Sequence, residues 1–241
     1  MTEKEKRDKK PKNKQSEQGV FREYFELIAE TAIFVFFVMT FVVQASQVPT
    51  GSMENTMLVG DFLLVNKMAY ADSKTGLEKL ILPQKKIDRH DIVVFKSLEE
   101  PGKDLVKRVI GLPGDRLEIK KKQVYINDEP IPEGFKLHKD SQVYEKNGYY
   151  RYDDSIRDNF GPVEIPPGQF FMMGDNRDES YDSRYWGFLP SDYIKGRPWV
   201  IYFSYDAEEN THLKTSVRDR LERFVQYIPR ARWGRILHVI K

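Results

Sequence analysis

Charge-dense and charge-free stretches follow one another abruptly at the start of the chain. Residues 2–18 contain no apolar side chain, which leaves nothing to bury and predicts a disordered, basic segment. Residues 31–43 then form an uncharged, almost wholly apolar run. At ~1.5 Å per residue that run reaches only ~20 Å, short of the ~30 Å hydrocarbon core of a bilayer. Extension to residues 27–48 supplies the length but admits Glu30, Gln44, Ser46 and Gln47. Three readings stay open: a retained membrane anchor, a signal peptide cut after the small residue of Val43-Gln44-Ala45, or a buried core helix. The first two export everything that follows. Lysines precede the run and few come directly after it, so the positive-inside rule puts the N-terminus in the cytoplasm.

Beyond Val48 the period shortens. Residues 61–66, 91–96, 105–110, 123–126, 169–173 and 199–203 are short β-branched or aromatic runs, most of them bounded by turn residues. Gly111-Leu-Pro-Gly-Asp115 predicts a tight turn, and Asn127-Asp128 a hairpin. Residues 134–161 are polar, tyrosine-rich and weakly patterned, an excursion of long loops. The fold class is therefore mainly β, an antiparallel sheet carrying an insertion, preceded by one helix. The tail changes period again. Val217, Leu221, Phe224, Val225 and Ile228 recur at helical spacing up to Pro229. Arg230, Arg232, Trp233 and Arg235 follow, suited either to anionic headgroups or to a basic face packed on the domain.

The expected organisation is a basic tail over 1–24, an anchor over 25–48, an exported domain over 49–205, and a basic amphipathic tail over 206–241. The 241 residues carry a net charge of +2, distributed as +4 over 1–22, −8 over 23–211 and +6 over 212–241. A uniformly basic nucleic-acid binder is excluded. The absence of cysteine removes disulfides, thiolate metal sites and a thiol nucleophile. His90, His138, His212 and His238 stand in no metal-ligand or triad spacing, and no His-Glu-x-x-His occurs. Neither a metal nor a cofactor is expected.

Two residues suggest chemistry without histidine. Ser52 follows Pro49-Thr-Gly, where a rigid φ on one side and a missing Cβ on the other let a substrate backbone approach. A serine needs a base to become a nucleophile. Lys107 sits in a strand pattern on one face with Leu105 and Val109, where lost hydration lowers a lysine pKa. To act near neutral pH it must fall from ~10.4 to roughly 7–8. Taken singly, Ser52 reads sooner as a turn serine and Lys107 as a surface lysine of an edge strand; the pairing matters more than either member. A third element, residues 174–187, packs hydrogen-bonding groups beside Tyr185 and Trp186.

Four blocks together resemble the bacterial type I signal peptidases, the serine–lysine leader peptidases. They are Gly51-Ser-Met-Glu-Asn-Thr56, Arg89-His-Asp-Ile-Val-Val-Phe95, Lys107-Arg-Val-Ile-Gly-Leu-Pro-Gly-Asp115, and Gly174-Asp-Asn-Arg-Asp with Asp182-Ser-Arg-Tyr-Trp-Gly-Phe188. The resemblance runs from about residue 25 to 205 and implies a peptidase domain over 49–205 with the family's insertion over 116–171. Asn55 stands where the family usually has proline, and His90 where it has glycine.

The resemblance implies Ser52 as nucleophile, Lys107 as general base, and an oxyanion hole from the Ser52 N–H and the Thr50 hydroxyl. It further implies that Ser180 orients Lys107, that Asp182 and Arg184 brace the site, and that Val48, Met53 and Val106 line a pocket for small side chains. The implied substrates are exported precursor proteins, bound extended at strand edges. The implied place is the inner (cytoplasmic) membrane, crossed once, with contact to the lipid bilayer and none to nucleic acid. Two other classes compete: an anchored binding or scaffold protein indifferent to the Ser52–Lys107 pair, and a self-cleaving serine–lysine domain. The second is weakened because no DNA-binding module precedes Ser52.

Overall fold

The computed structural model describes residues 14–70, 85–145, 156–208, 216–217 and 224–240. Helix α1 spans Lys14–Phe37 and passes into one π-helical turn, Val38–Val42. The disorder expected for 1–24 thus gives way to helix from Lys14 onward, while residues 1–13 lie outside the described residues. The stretch Gly19–Val42 is long and apolar enough to cross a bilayer. Phe21, Phe34 and Phe36 are all more than half exposed, which excludes the core-helix reading.

The anchor expected over 25–48 ends earlier. Val43–Gln47 is strand β1, paired antiparallel along its whole length with β2, Asp61–Asn66. Gln44, Ser46 and Gln47 have polar groups that hydrocarbon cannot satisfy, and a sheet edge can.

From Val42 onward the chain forms one β-rich unit. Further strands are β3 (Ile92–Lys96), β4 (Asp104–Gly111), β5 (Arg116–Lys120), β6 (Gln123–Ile126), β7 (Glu129–Pro130), β8 (Phe160–Glu164), β9 (Gln169–Met173), β10 (Leu189–Pro190), β11 (Ile194–Ser204) and β12 (His238–Val239). The main sheet runs β1-β2-β11-β3-β4-β9-β10, with β12 added on β11. A second sheet, β7-β6-β5-β8, is inserted between β4 and β9. All of these strand pairs are antiparallel.

The insertion expected over 116–171 carries this four-stranded sheet, of which only β6 and its hairpin were expected, and it returns to the main sheet at β9. Its core is Leu117, Ile119, Val124, Ile126 and Ile165 against Ile110 and Phe171. Burying such side chains contributes ~1.5–3 kcal/mol each. Asn127 and Asp128 form the expected hairpin, both at positive φ. The β5–β6 turn uses Lys121 and Lys122 at positive φ, residue types that do not advertise a turn. Of the polar excursion, residues 146–155 lie outside the described residues.

Two of the tail's arginines fold back onto the domain: Arg232 donates to Val59 O and Asp206, and Arg235 to Asp61 and Thr56 O. Arg230 and Trp233 are exposed. Residues 218–223 of the expected amphipathic helix lie outside the described residues; Phe224, Val225 and Ile228 are exposed.

Candidate active site

Strand β1 delivers the chain to Val48, whose N–H donates to Asp61 O (2.9 Å) and whose carbonyl accepts from Gly60 N (3.1 Å). These bonds close a loop from 48 to 61 at its base. Within it Gly51–Met53 is a single 3₁₀ turn, closed by Glu54 N to Gly51 O and entirely buried. Gly60 holds φ +89°, and a Cβ there would lie 2.2 Å from Tyr205 O, so only glycine fits the return. Ser52 is presented on the turn. Its carbonyl accepts from Asn176 N at 3.1 Å, which ties the 48–61 loop to the 174–187 segment.

Lys107 lies mid-β4, paired with Val93 of β3. It is 4% exposed. Its Nζ donates to Ser52 Oγ at 2.5 Å. Burial disfavours the ammonium and lowers its pKa to about 8, against the smaller raising pull of the Asp182 carboxylate. The pair therefore combines a short bond with an amine close to deprotonation at neutral pH. Neither neighbourhood could be read from one strand's alternation alone, because the two residues are brought together from different parts of the chain.

The 174–187 segment lies behind this pair. Asp182 accepts from Arg184 Nε (2.8 Å) and Nη2 (2.9 Å) and from Gly174 N (3.0 Å). Arg184 also donates to the carbonyls of Arg157 and Arg177 at 2.8 and 2.7 Å. Both side chains are buried. The guanidinium holds the Asp182 carboxyl below its usual range in spite of burial. Asp182 also caps the short helix α2, Ser183–Trp186. The expected brace is thus a fully satisfied buried ion pair at the centre of the loop.

Ser180 is buried beside Asp182, against Gly174. Its hydroxyl lies against the Asp182 carboxylate and makes no hydrogen bond to Lys107, so the bond implied by the resemblance is not formed in this arrangement. The amine is directed at Ser52 instead.

Thr50, Ser52, Lys107, Val48, Met53 and Val106 all line one cleft of about 800 Å³. Thr50 has extended backbone, φ −135° and ψ 157°, and its side chain does not cap the turn. The Ser52 N–H opens the turn, where no carbonyl of the turn itself can receive it. Val48, Met53 and Val106 also belong to one apolar cluster with Met57, Leu63, Ile92, Ile201 and Ile240, so the pocket wall is continuous with the core.

Several site residues lie inside or beside the motif blocks without a role that the sequence assigned to them. Arg108, next to Lys107, donates to Asp175 at 2.8 and 2.7 Å and to Thr56 Oγ1 at 3.1 Å. Thr56 Oγ1 donates in turn to Asp175 at 2.5 Å. Arg177 is buried against Glu133 of the insertion. Lys139 bridges Glu54 and Glu179 at 2.6 and 2.7 Å on the cleft rim. Among these, the density of Asp and Arg in 174–184 was the one visible hint. The two departures from the family pattern both carry positive φ: Asn55 at +103° and His90 at +73°. Glycine at the latter would be unstrained, and proline at the former would be impossible with its φ near −65°. Asn55 instead donates to Phe135 O at 2.9 Å. Among the described residues no cluster of His, Asp and Glu is suited to a metal ion.

The family description that fits residues 21–203 is that of the signal peptidases, peptidase S26. The chain belongs to this family. It is 33% identical over 223 residues to the signal peptidase I of Pseudomonas aeruginosa, covering 83% of this chain and 78% of that one. It is 31% identical to the signal peptidase I of Pseudomonas fluorescens, with the same coverage. A solved signal peptidase I from Enterococcus faecalis V583 matches at 33% identity over 47% of this chain and 97% of that one, with a TM-score of 0.36.

Proposed function

We propose that this protein is a membrane-anchored serine endopeptidase that removes N-terminal signal peptides from exported precursors, with Ser52 as nucleophile and Lys107 as general base. The observation that carries the reading is the 2.5 Å contact between a buried amine of lowered pKa and the Ser52 hydroxyl. Neutral Lys107 takes the Ser52 proton as Oγ attacks the scissile carbonyl. The ammonium then gives that proton to the leaving amine. The resulting acyl-enzyme is opened by water, which the same amine deprotonates. The Ser52 N–H and the Thr50 hydroxyl receive the developing oxyanion. Asp182 and Arg184 keep the 174–187 segment seated behind the pair. The Ser180 hydroxyl, beside Asp182, supplies a second acceptor for Lys107 once the amine is charged.

Val48, Met53 and Val106 favour small side chains before the scissile bond. Residues 46–50 and 104–106, on two sides of the cleft, offer backbone to an extended substrate. Signal peptides end in small residues where they leave the bilayer, and Ser52 stands ten residues beyond the apolar stretch ending at Val42. The apolar stretch acts as a retained anchor, because a cut after Ala45 would sever β1 within its pairing to β2. The N-terminus is cytoplasmic and the β domain outside the inner membrane. Incubation of the purified chain in detergent with an exported precursor tests this. Wild type releases the signal peptide after a small residue, and Ser52→Ala and Lys107→Ala each fail. Undiminished cleavage by either variant would end the assignment.

A further inference from the structure

The family match stops at residue 203, yet the chain beyond it returns to the nucleophile loop. Arg235 Nη2 donates to Thr56 O at 3.1 Å and to Asp61 Oδ2 at 2.6 Å, and its Nε to Asp61 Oδ1 at 3.2 Å. Asp61 is fully buried, and it also receives Leu58 N at 2.8 Å and Ser204 Oγ at 2.6 Å. Arg232 Nη1 donates to Val59 O at 2.9 Å, and Arg232 lines the catalytic cleft. Ile240 is 6% exposed and packs in the same cluster as Met53, the neighbour of Ser52. The backbone follows suit: Arg232 N donates to Ser204 O, and Leu237 N to Ile201 O.

We propose that the C-terminal strap, residues 232–240, is a positioning element for the nucleophile, with Arg235 as its principal residue. Loop 51–61 is short of regular structure; beyond the 3₁₀ turn it is held by Thr56 N and Met57 N to Met53 O, by its closure at Val48, and on its other side by Asn55 on Phe135 O and Thr56 Oγ1 on Asp175. One guanidinium grips both the Thr56 carbonyl, three residues past the 3₁₀ turn, and the carboxylate at the loop's end. A charge-assisted fork of this kind fixes direction as well as distance. Without it the loop gains freedom at Thr56, four residues from Ser52, and a serine displaced by about 1 Å from attack geometry loses on the order of 100-fold in rate. Arg235 touches neither substrate nor Lys107; it acts through the loop.

The inference rests on the serine–lysine reading above, and its test separates the two. Full-length Arg235→Gln, Arg235→Lys, Arg232→Gln and Ser52→Ala are purified in detergent. Each is assayed on an exported precursor after counting competent sites with an acylating serine reagent. The expected result for Arg235→Gln is a kcat per competent site lower by roughly 10- to 100-fold, with KM within about twofold and the pH dependence of kcat unmoved, since Lys107 stays buried. Arg235→Lys, which keeps the charge on Asp61, recovers part of the loss. Arg232→Gln, whose partners lie nearer the rim, loses less than Arg235→Gln and remains folded if the other does not. An unchanged kcat per competent site in both glutamine variants would overturn the proposal. So would a loss that disappears on correction for competent sites, which marks a stabilising tail only. Activity persisting in Ser52→Ala would instead strike the serine–lysine reading.

Discussion

Replacing Lys107 by methionine should abolish turnover while making the protein more stable at neutral pH. Folding moves this amine from an ordinary pKa of 10.5 to about 8. Each unit is 1.36 kcal/mol, so below pH 8 the folded state bears about 3 kcal/mol of destabilisation from a charge held out of water. Methionine keeps the volume and removes the charge. It also strips Ser52 Oγ of its partner at 2.5 Å, which costs about 1 kcal/mol. The net expectation at pH 7 is a gain of about 2 kcal/mol for Lys107→Met. The sign follows from the direction of the shift. Between pH 8 and 10.5 the unfolded wild-type chain is still protonated while the folded one is not, so wild-type stability rises relative to the variant. Above 10.5 the penalty is gone and wild type leads by about the value of the lost hydrogen bond. The two stability curves should therefore cross. Urea unfolding of both full-length chains in the same detergent, from pH 6 to 11, measures the difference directly, since every other titrating group is common to both. A variant no more stable than wild type at pH 7, or a difference independent of pH, would refute the claim that Lys107 is held in a desolvated site.

Three further outcomes follow from the same geometry. Asp182→Asn leaves the buried Arg184 without its carboxylate, so it should cost ~3–5 kcal/mol in unfolding experiments. It should also move the rising limb of the pH–rate profile to lower pH, because Asp182 holds the Lys107 pKa up. Gly174→Ala places a Cβ 2.4 Å from Ser52 O and 2.3 Å from Ser180 Oγ; kcat should fall by about tenfold or more as the nucleophile loop shifts. Asn55→Pro cannot adopt φ +103°, and should lower the melting temperature by several degrees, on the order of a 1 kcal/mol loss or more. Wild-type melting for that variant would show that the loop can take the backbone of the usual family pattern.

The β-branched runs at Asp61–Asn66 and Gln169–Met173 were legible because each alternates or fills a buried strand between turn signals. Strand β1 was not. Its Val-Gln-Ala-Ser-Gln is continuous with the apolar run before it, and only pairing with β2 separates the two. Arg116–Lys120 escaped notice because its turn is made by two lysines rather than glycine or asparagine. At the site, the four motif blocks pointed to Ser52 and Lys107, and the cleft brings both together with Thr50, Val48, Met53 and Val106. The Arg108–Asp175 pair and the Arg235–Asp61 pair join residues 67 and 174 positions apart. No local pattern encodes such contacts; they arise when the sheet closes. Ser180 shows the opposite limit, since the motif implied a bond to Lys107 where the structure sets the hydroxyl against Asp182 and aims the amine at Ser52.

The most direct test of the account is the pH dependence of kcat/KM for precursor cleavage between pH 6 and 9.5. If a neutral Lys107 abstracts the Ser52 proton, the rate rises close to tenfold per pH unit at first and levels above an apparent pKa of about 8. A profile that is flat across this range, or one that bends near pH 10 as an ordinary solvated lysine would, contradicts it.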